Sequence, residues 1–217
     1  MNLLEIRHTD IRDFSKDKHK EVDDRPYGGG PGMILAPQPT VDAIREVKKD
    51  NSHVIYLSPQ GTPFSSKRAE ELSKKEHLIL LCGHYEGIDE RIIEKEVDEE
   101  ISIGDYVLTN GCIAAIALVD AVSRYIPNVL GHPEAAREDS FEEGIFDAPH
   151  YTRPEIFEEL SVPEILLGGH HAEIQKWRYE QGLKKTRQVR SDLYFQHIVE
   201  KMRSSGKKEK ENESVSV

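Results

Sequence analysis

Four charged side chains stand where charge is either costly or useful. Asp105 and Arg124 interrupt the apolar stretch Ile101–His132, Glu86 sits in a His-Tyr-Glu-Gly turn, and Asp139 sits in Arg-Glu-Asp-Ser-Phe. A charge taken out of water is strongly disfavoured unless it is paired or put to work. A fixed guanidinium can stabilise negative charge developing on an oxygen, and a carboxylate beside a bound base can take up its proton. Each residue also has a plainer reading. Arg124 lies near a helix end, where a cation complements the dipole. Asp139, ahead of Ser140, suits an N-cap or turn, and local sequence alone favours that reading for it.

The elements that must position these groups follow from periodicity. Leu3–His8 reads as a strand and 11–32 as a long polar, then glycine-rich loop. Thr40–Lys49 is an amphipathic helix with Val41, Ile44 and Val47 on one face. Val54–Leu57 is a short strand ending in Ser58-Pro59-Gln60-Gly61, Ser65–Lys75 a helix, and Leu78–Cys82 an apolar strand followed by Gly83-His84-Tyr85-Glu86-Gly87. Ile88–Glu94 reads as a short helix and Glu100–Leu108 as a strand carrying Asp105. Asn110-Gly111 supplies a turn that tolerates positive φ. Ile113–Ile126 is apolar on nearly every face, the mark of a helix buried on most sides. Strands alternating with helices predict an α/β fold whose parallel sheet is covered on both faces. Beyond Ser140 no strand pattern persists. Ala172–Lys185, anchored by Ile174, Trp177 and Leu183, and Asp192–Met202 predict a small helical domain, and the charged tail from Ser204 reads as disordered.

In an open parallel sheet, ligands bind beyond the carboxyl ends of the strands. Ser58–Gly61, Gly83–Gly87 and the region of Gly104 and Asn110-Gly111 all fall there, each with glycine to admit backbone close to a ligand. None is a G-x-G-x-x-G fingerprint. The Tyr27–Gly32 run lacks the Gly-Lys-Ser/Thr ending of a P-loop and reads as an irregular or hinged loop. Ten histidines form no metal-ligand spacing, and Cys82 and Cys112 have no zinc-finger partners, so no metal site is predicted. No nucleophile elbow surrounds Ser58 or Ser140.

The chain has 217 residues, 37% hydrophobic and 32% charged, with a formal net charge of −11. That balance argues against nucleic acid until its distribution is read. Lys176, Arg178, Lys184, Lys185, Arg187, Arg190, Lys201 and Arg203 crowd the C-terminal helices, while acid is concentrated in 86–105 and 134–159. A local basic stripe can bind phosphates whatever the net charge, and its plain reading is a solvated helix face. No apolar run is long enough for a membrane span, no signal peptide opens the chain, and two cysteines make no disulfide framework; a cytoplasmic location is expected.

Ordered motifs carry a resemblance over Leu3 to Arg190. They are YGGGPGM (27–33), YLSPQG (56–61), CGHYEGIDER (82–91), DEEISIGDYVL (98–108), DAVSRYIPNVLGH (120–132), EDSFEEG (138–144), PHYTRP (149–154) and HAEIQKWR (171–178). This series resembles the bacterial tRNA (guanine-N1)-methyltransferases, which modify the guanine 3′ of the anticodon, tRNA position 37. The resemblance implies a SPOUT-type fold with a C-terminal trefoil knot over 1–130, a flexible linker over 131–141, a helical tRNA-binding domain over 142–203 and a free tail over 204–217. It also implies a homodimer acting on the anticodon arm. S-adenosylmethionine would bind in the knot, against Tyr56, Leu57, Pro59, Gly83, Tyr85, Glu86, Gly87, Ile103, Gly104, Tyr106, Leu108 and Gly111. Arg124 and Asp139 match the family's catalytic arginine and general base, with Asp139 coming from the other subunit and Mg²⁺ an optional helper.

The chemistry suits these residue types. Guanine N1 is a poor nucleophile while it keeps its proton, and losing it leaves charge shared with O6, which Arg124 can stabilise. A free Asp is a weak base for that proton, so desolvation is expected to strengthen Asp139. The chain departs from the family at Asn110 (usually glycine), Cys112 (usually glutamate) and His84 (usually arginine). It also begins without the family's first strand and helix, which motivates a second reading, a non-catalytic cofactor- or tRNA-binding remnant. A third, a nucleotide-phosphate enzyme, rests on Tyr27–Gly32.

Overall fold

The computed structural model describes residues 3–84, 86–132, 136 and 139–214, the last ten as backbone alone. The chain divides into two compact units, Met1–Pro133 and Glu134–Val217.

In the first unit three parallel strands form the central sheet: β3 (Ser52–Pro63), β4 (His77–Cys82) and β5 (Glu99–Ser102), in the order β4-β3-β5. The central strand reads Val-Ile-Tyr-Leu over 54–57, buried at every position, as a strand covered on both faces must be. Alternation sends Ile55 and Leu57 to one side, against Ala69 and Leu72 of α2 (Ser66–Ser73) and Ala114, Leu118 and Val122 of α4 (Cys112–Ser123). Val54 and Tyr56 face the other side, against Ile44 of α1 (Pro37–Val47) and Ile92 of α3 (Glu90–Glu96). Full burial of one such aliphatic side chain is worth about 1.5–3 kcal/mol, so these two layers carry most of the unit's stability. Polar clamps fix the helices. Buried Glu96 joins Arg45 at 2.7 Å and Lys48 at 3.2 Å, tying α3 to α1.

The α/β class and doubly covered parallel sheet match the expectation; several elements differ. Leu3–His8 is not a strand: Leu4 and Ile6 are exposed and no described strand pairs with it. The long loop holds a 3-10 turn at Ile11–Phe14 and a two-residue strand, β1 (Asp23–Asp24), paired with β2 (Ile34–Leu35). The first helix starts at Pro37, whose ring presets the first-turn φ. Ser58–Gly61 is not a free loop but an irregularity inside β3, with Leu57 and Thr62 both opposite Ile101. β5 stops at Ser102, so Asp105 is exposed on a loop rather than in a strand. There Gly104 takes φ +152 and the Ser102 hydroxyl donates to its carbonyl at 3.1 Å, a local alternative to ladder pairing. Gly111 has φ −74, so the expected left-handed turn is not used. The helix that follows is buried on one stripe only, leaving Ile113 and Ile116 53% and 69% exposed.

The second unit is built on α5 (His171–Val189) and α6 (Ser191–Ser214). It also holds a short antiparallel pair, β6 (Ile156–Phe157) and β7 (Leu160–Ser161), where no strand was expected; two-residue strands are too short to show alternation. The closest packing on α5 falls at buried Gly182 and Thr186, while Ile174, Trp177 and Leu183 are half-buried. α6 continues to Ser214 through the tail expected to be disordered, consistent with the helix preference of its Lys and Glu residues. No helix among the described residues is long and apolar enough to cross a membrane.

Candidate cofactor pocket and catalytic residues

Parallel strands open their carboxyl ends on one side, and there two of the three predicted glycine turns meet. The Gly111 amide donates to the Gly83 carbonyl at 2.9 Å, and His84 and Asn110 form an isolated antiparallel bridge. The Asn110 side-chain oxygen accepts the Cys112 amide at 2.9 Å, so Asn110 satisfies an orphan donor at the start of α4. No side chain fits where these backbones touch: a Cβ built on Gly111 would lie 2.9 Å from Cys82 Cα.

Tyr56 forms the base of this junction. A Cβ on Gly83 would lie 3.1 Å from its ring, and one on Gly87 3.5 Å from its hydroxyl. Burial, with the charges of Glu100 and Glu90, pushes the Tyr56 phenol above its usual pKa and keeps it neutral. Leu57 is buried beside it and Pro59 is exposed in the β3 irregularity. From β5 onward, Ile103 and Leu108 pack against the sheet core. Tyr106 is 55% exposed, donates its hydroxyl to the Ile103 carbonyl at 3.3 Å and covers Gly104, where a Cβ would strike the ring. Tyr85 lies outside the described residues.

One part of the site went unread in the sequence. The glycine run Tyr27–Gly32 is not merely a hinge. Its end is strapped to the Gly83–Gly87 turn: the Glu86 amide donates to Met33 at 3.1 Å, Leu35 donates to Gly87 at 3.1 Å, and Asp89 donates to Leu35 at 3.1 Å. Glu86 lays its side chain over Gly32, where a Cβ would collide with it. The density of glycine in 28–32 and the YGGGPGM motif mark the loop, but neither says against what it packs.

The floor so built is backbone and glycine, with aromatic and aliphatic walls. That arrangement fits a flat purine and its sugar, because amides can approach closely while apolar faces stack. It therefore fits S-adenosylmethionine. No group of three or more His, Cys, Asp or Glu side chains among the described residues is arranged to hold a metal ion.

Arg124 follows the last turn of α4, half-buried, at the C-cap position. Asp139 belongs to the second unit and is exposed. Cys82, at the end of β4, has its thiol pushed up to about 12 by burial and by neighbouring Cys112. In the second unit Lys176, Arg178, Lys184, Lys185 and Arg187 are exposed along α5, Tyr151 and Trp177 pair with ring centroids 6.4 Å apart, and Arg187 lies over Tyr194 at 5.7 Å. Cations interleaved with aromatic rings are the surface chemistry of RNA binding.

Residues 1–196 match the family described as tRNA (Guanine-1)-methyltransferase TrmD, and the chain belongs to that family. It is 64% identical over 191 residues to a tRNA (guanine-N(1)-)-methyltransferase of Protochlamydia amoebophila, covering 88% of this chain and 86% of that one. Proteins of the same name from Chlamydia muridarum and Chlamydia pneumoniae are 59% and 57% identical over 90% of this chain. The chain spans only about half of those two, 55% and 54% of their length.

Proposed function

We propose that this chain transfers the methyl group of S-adenosylmethionine to N1 of guanine 37 in tRNA. The observation that carries the proposal is the joining of Gly83 to Gly111 over Tyr56, a side-chain-free cradle at the sheet's carboxyl end in a member of this family. The bound cofactor supplies an electrophilic methyl group on a sulfonium. The chain's own residues do the rest. Tyr56 and the glycine turns orient the cofactor and Tyr106 flanks it. Asp139 takes the N1 proton, and Arg124 holds the negative charge that then spreads to O6. The basic face of α5 grips the anticodon arm by its phosphates, and the target base leaves its stack to reach the pocket.

The knot is part of this reading. The 103–111 segment passes beside the β4 turn before α4 packs on the sheet, an arrangement that a trefoil thread would produce. So is the homodimer. Ile113 and Ile116 leave an apolar face on α4 that a second copy would cover, bringing its Asp139 to this subunit's Arg124. Such an enzyme works in the cytoplasm, where its tRNA is.

The test is methyl transfer from labelled cofactor to two tRNA transcripts that differ only at position 37. Label is expected on the guanine transcript and not on its adenine counterpart. Equal labelling would overturn the guanine-37 reading, and no labelling with cofactor bound would overturn it in favour of a binding remnant.

A further inference from the structure

Asp139 opens a turn, 139–148, whose two limbs are joined at the residues that follow it. The Phe141 amide donates to the Ile145 carbonyl at 2.7 Å, and the Asp147 amide donates to the Ser140 hydroxyl at 3.0 Å. Phe141 holds φ +81, and its ring meets Phe146 edge to face with centroids 5.4 Å apart. A non-glycine residue at positive φ persists only where its surroundings over-determine it. The surroundings here are two helices. Thr186 of α5, fully buried, accepts the Phe146 amide at 2.7 Å and donates to the Gly182 carbonyl at 2.8 Å. One turn earlier Gly182 lies against the Phe146 carbonyl, where any Cβ would collide. From α6, His197 donates through Nδ1 to the Glu143 carbonyl at 2.8 Å. Its ring is fixed by the Tyr179 hydroxyl at 3.0 Å from Nε2, and Lys201 donates to that hydroxyl at 2.6 Å.

We infer that Thr186 and His197 are positioning residues for Asp139, holding its turn to the helices without touching tRNA or cofactor. The inference rests on the reading of Asp139 as the base. Thr186 pins Phe146, whose two neighbours, Ile145 and Asp147, carry the bonds back to Phe141 and Ser140. The two residues that follow Asp139 are therefore tied to α5 through the buried Thr186 hydroxyl. A general base must lie within hydrogen-bond reach of its proton, so loosening this anchor should slow proton transfer while leaving substrate binding intact.

The experiment uses the full chain with tRNA and S-adenosylmethionine. Thr186→Val keeps the shape and removes the hydroxyl. It should lower kcat roughly ten- to hundredfold with both KM values nearly unchanged. It should also speed hydrogen exchange at the Phe146 amide, and Thr186→Ser should restore both. If Thr186→Val does not fold, His197→Phe against His197→Asn, whose Nδ2 replaces the ring donor, gives the same comparison. Wild-type kcat in the hydroxyl-free variant, a change in KM alone, or no rescue by Ser would overturn the inference. Asp139→Asn runs beside them. Full activity there overturns the base reading and this inference with it, whereas an inactive Asp139→Asn beside a wild-type Thr186→Val overturns this inference alone.

Discussion

The amide of Gly111 donates to the carbonyl of Gly83 across 2.9 Å, so the turn after β4 and the start of α4 share one backbone junction. Both positions are tight, but they differ in what a Cβ would meet. At Gly111 it is the Cys82 backbone, which cannot yield; at Gly83 it is the Tyr56 ring, 3.1 Å away. Gly111→Ala should therefore destabilise the chain by about 1–3 kcal/mol in denaturant unfolding. Gly83→Ala should leave stability closer to wild type and weaken cofactor binding about tenfold or more by calorimetry, since its methyl fills the floor of the cradle.

The apolar side of α4 predicts an oligomer. Ile116→Glu places a charge in the middle of that face and should convert a dimer into a monomer by light scattering. If the base comes from the partner, methyl transfer should fall with it, while the cofactor still binds. A monomeric wild type with full activity would remove the dimer from the mechanism.

A charge cluster between β3, α2 and β5 predicts acid sensitivity. Burial pushes Glu99 up, but Arg68, whose Nε donates to it at 2.9 Å, and His53 at 3.0 Å outweigh this and hold its carboxyl below the usual range. Its folded pKa is thus below its unfolded one. The stability it contributes is fully present above the unfolded value, about 4.3, and is lost as pH falls through the folded value. Glu99→Gln should cost about 1–2 kcal/mol at neutral pH and flatten the decline of stability below pH 4.3. An unchanged acid limb would contradict the assignment.

Cys82 offers a simple probe of the pocket wall. A half-buried thiol pushed up to about 12 carries almost no thiolate at neutral pH. Alkylating reagent should leave Cys82 unmodified in the folded protein and modify it after denaturation, read by peptide mass. Rapid labelling of the folded chain would mean that the β4 end opens.

These contacts show what the sequence could and could not disclose. Burial leaves a periodic trace, so the sheet, its two apolar layers and α1 to α4 were legible from residues such as Val54, Ile55, Leu118 and Ile92. Junctions leave none. That Gly83 meets Gly111, that Glu86 lies over Gly32 and that Thr186 pins Phe146 depend on chain crossings between residues 28 to 54 positions apart. Apparent exceptions to periodicity have physical causes as well. Glu100–Leu108 reads like a strand but leaves the sheet after Ser102. The apolar excess of α4 is divided between the core residues Leu118 and Val122 and the exposed Ile113 and Ile116. The roles of Arg124 and Asp139 come from the family resemblance, because local sequence leaves Arg124 open between cap and site and favours a cap or turn for Asp139.

The central claim is the identity of the modified atom. Transcript tRNA with guanine 37, treated with the full chain and S-adenosylmethionine, should yield 1-methylguanosine at that position alone on nuclease digestion and mass spectrometry. Asp139→Asn should yield little or none in the same time. Methyl on another guanine atom, on another position, or undiminished in Asp139→Asn would contradict the account.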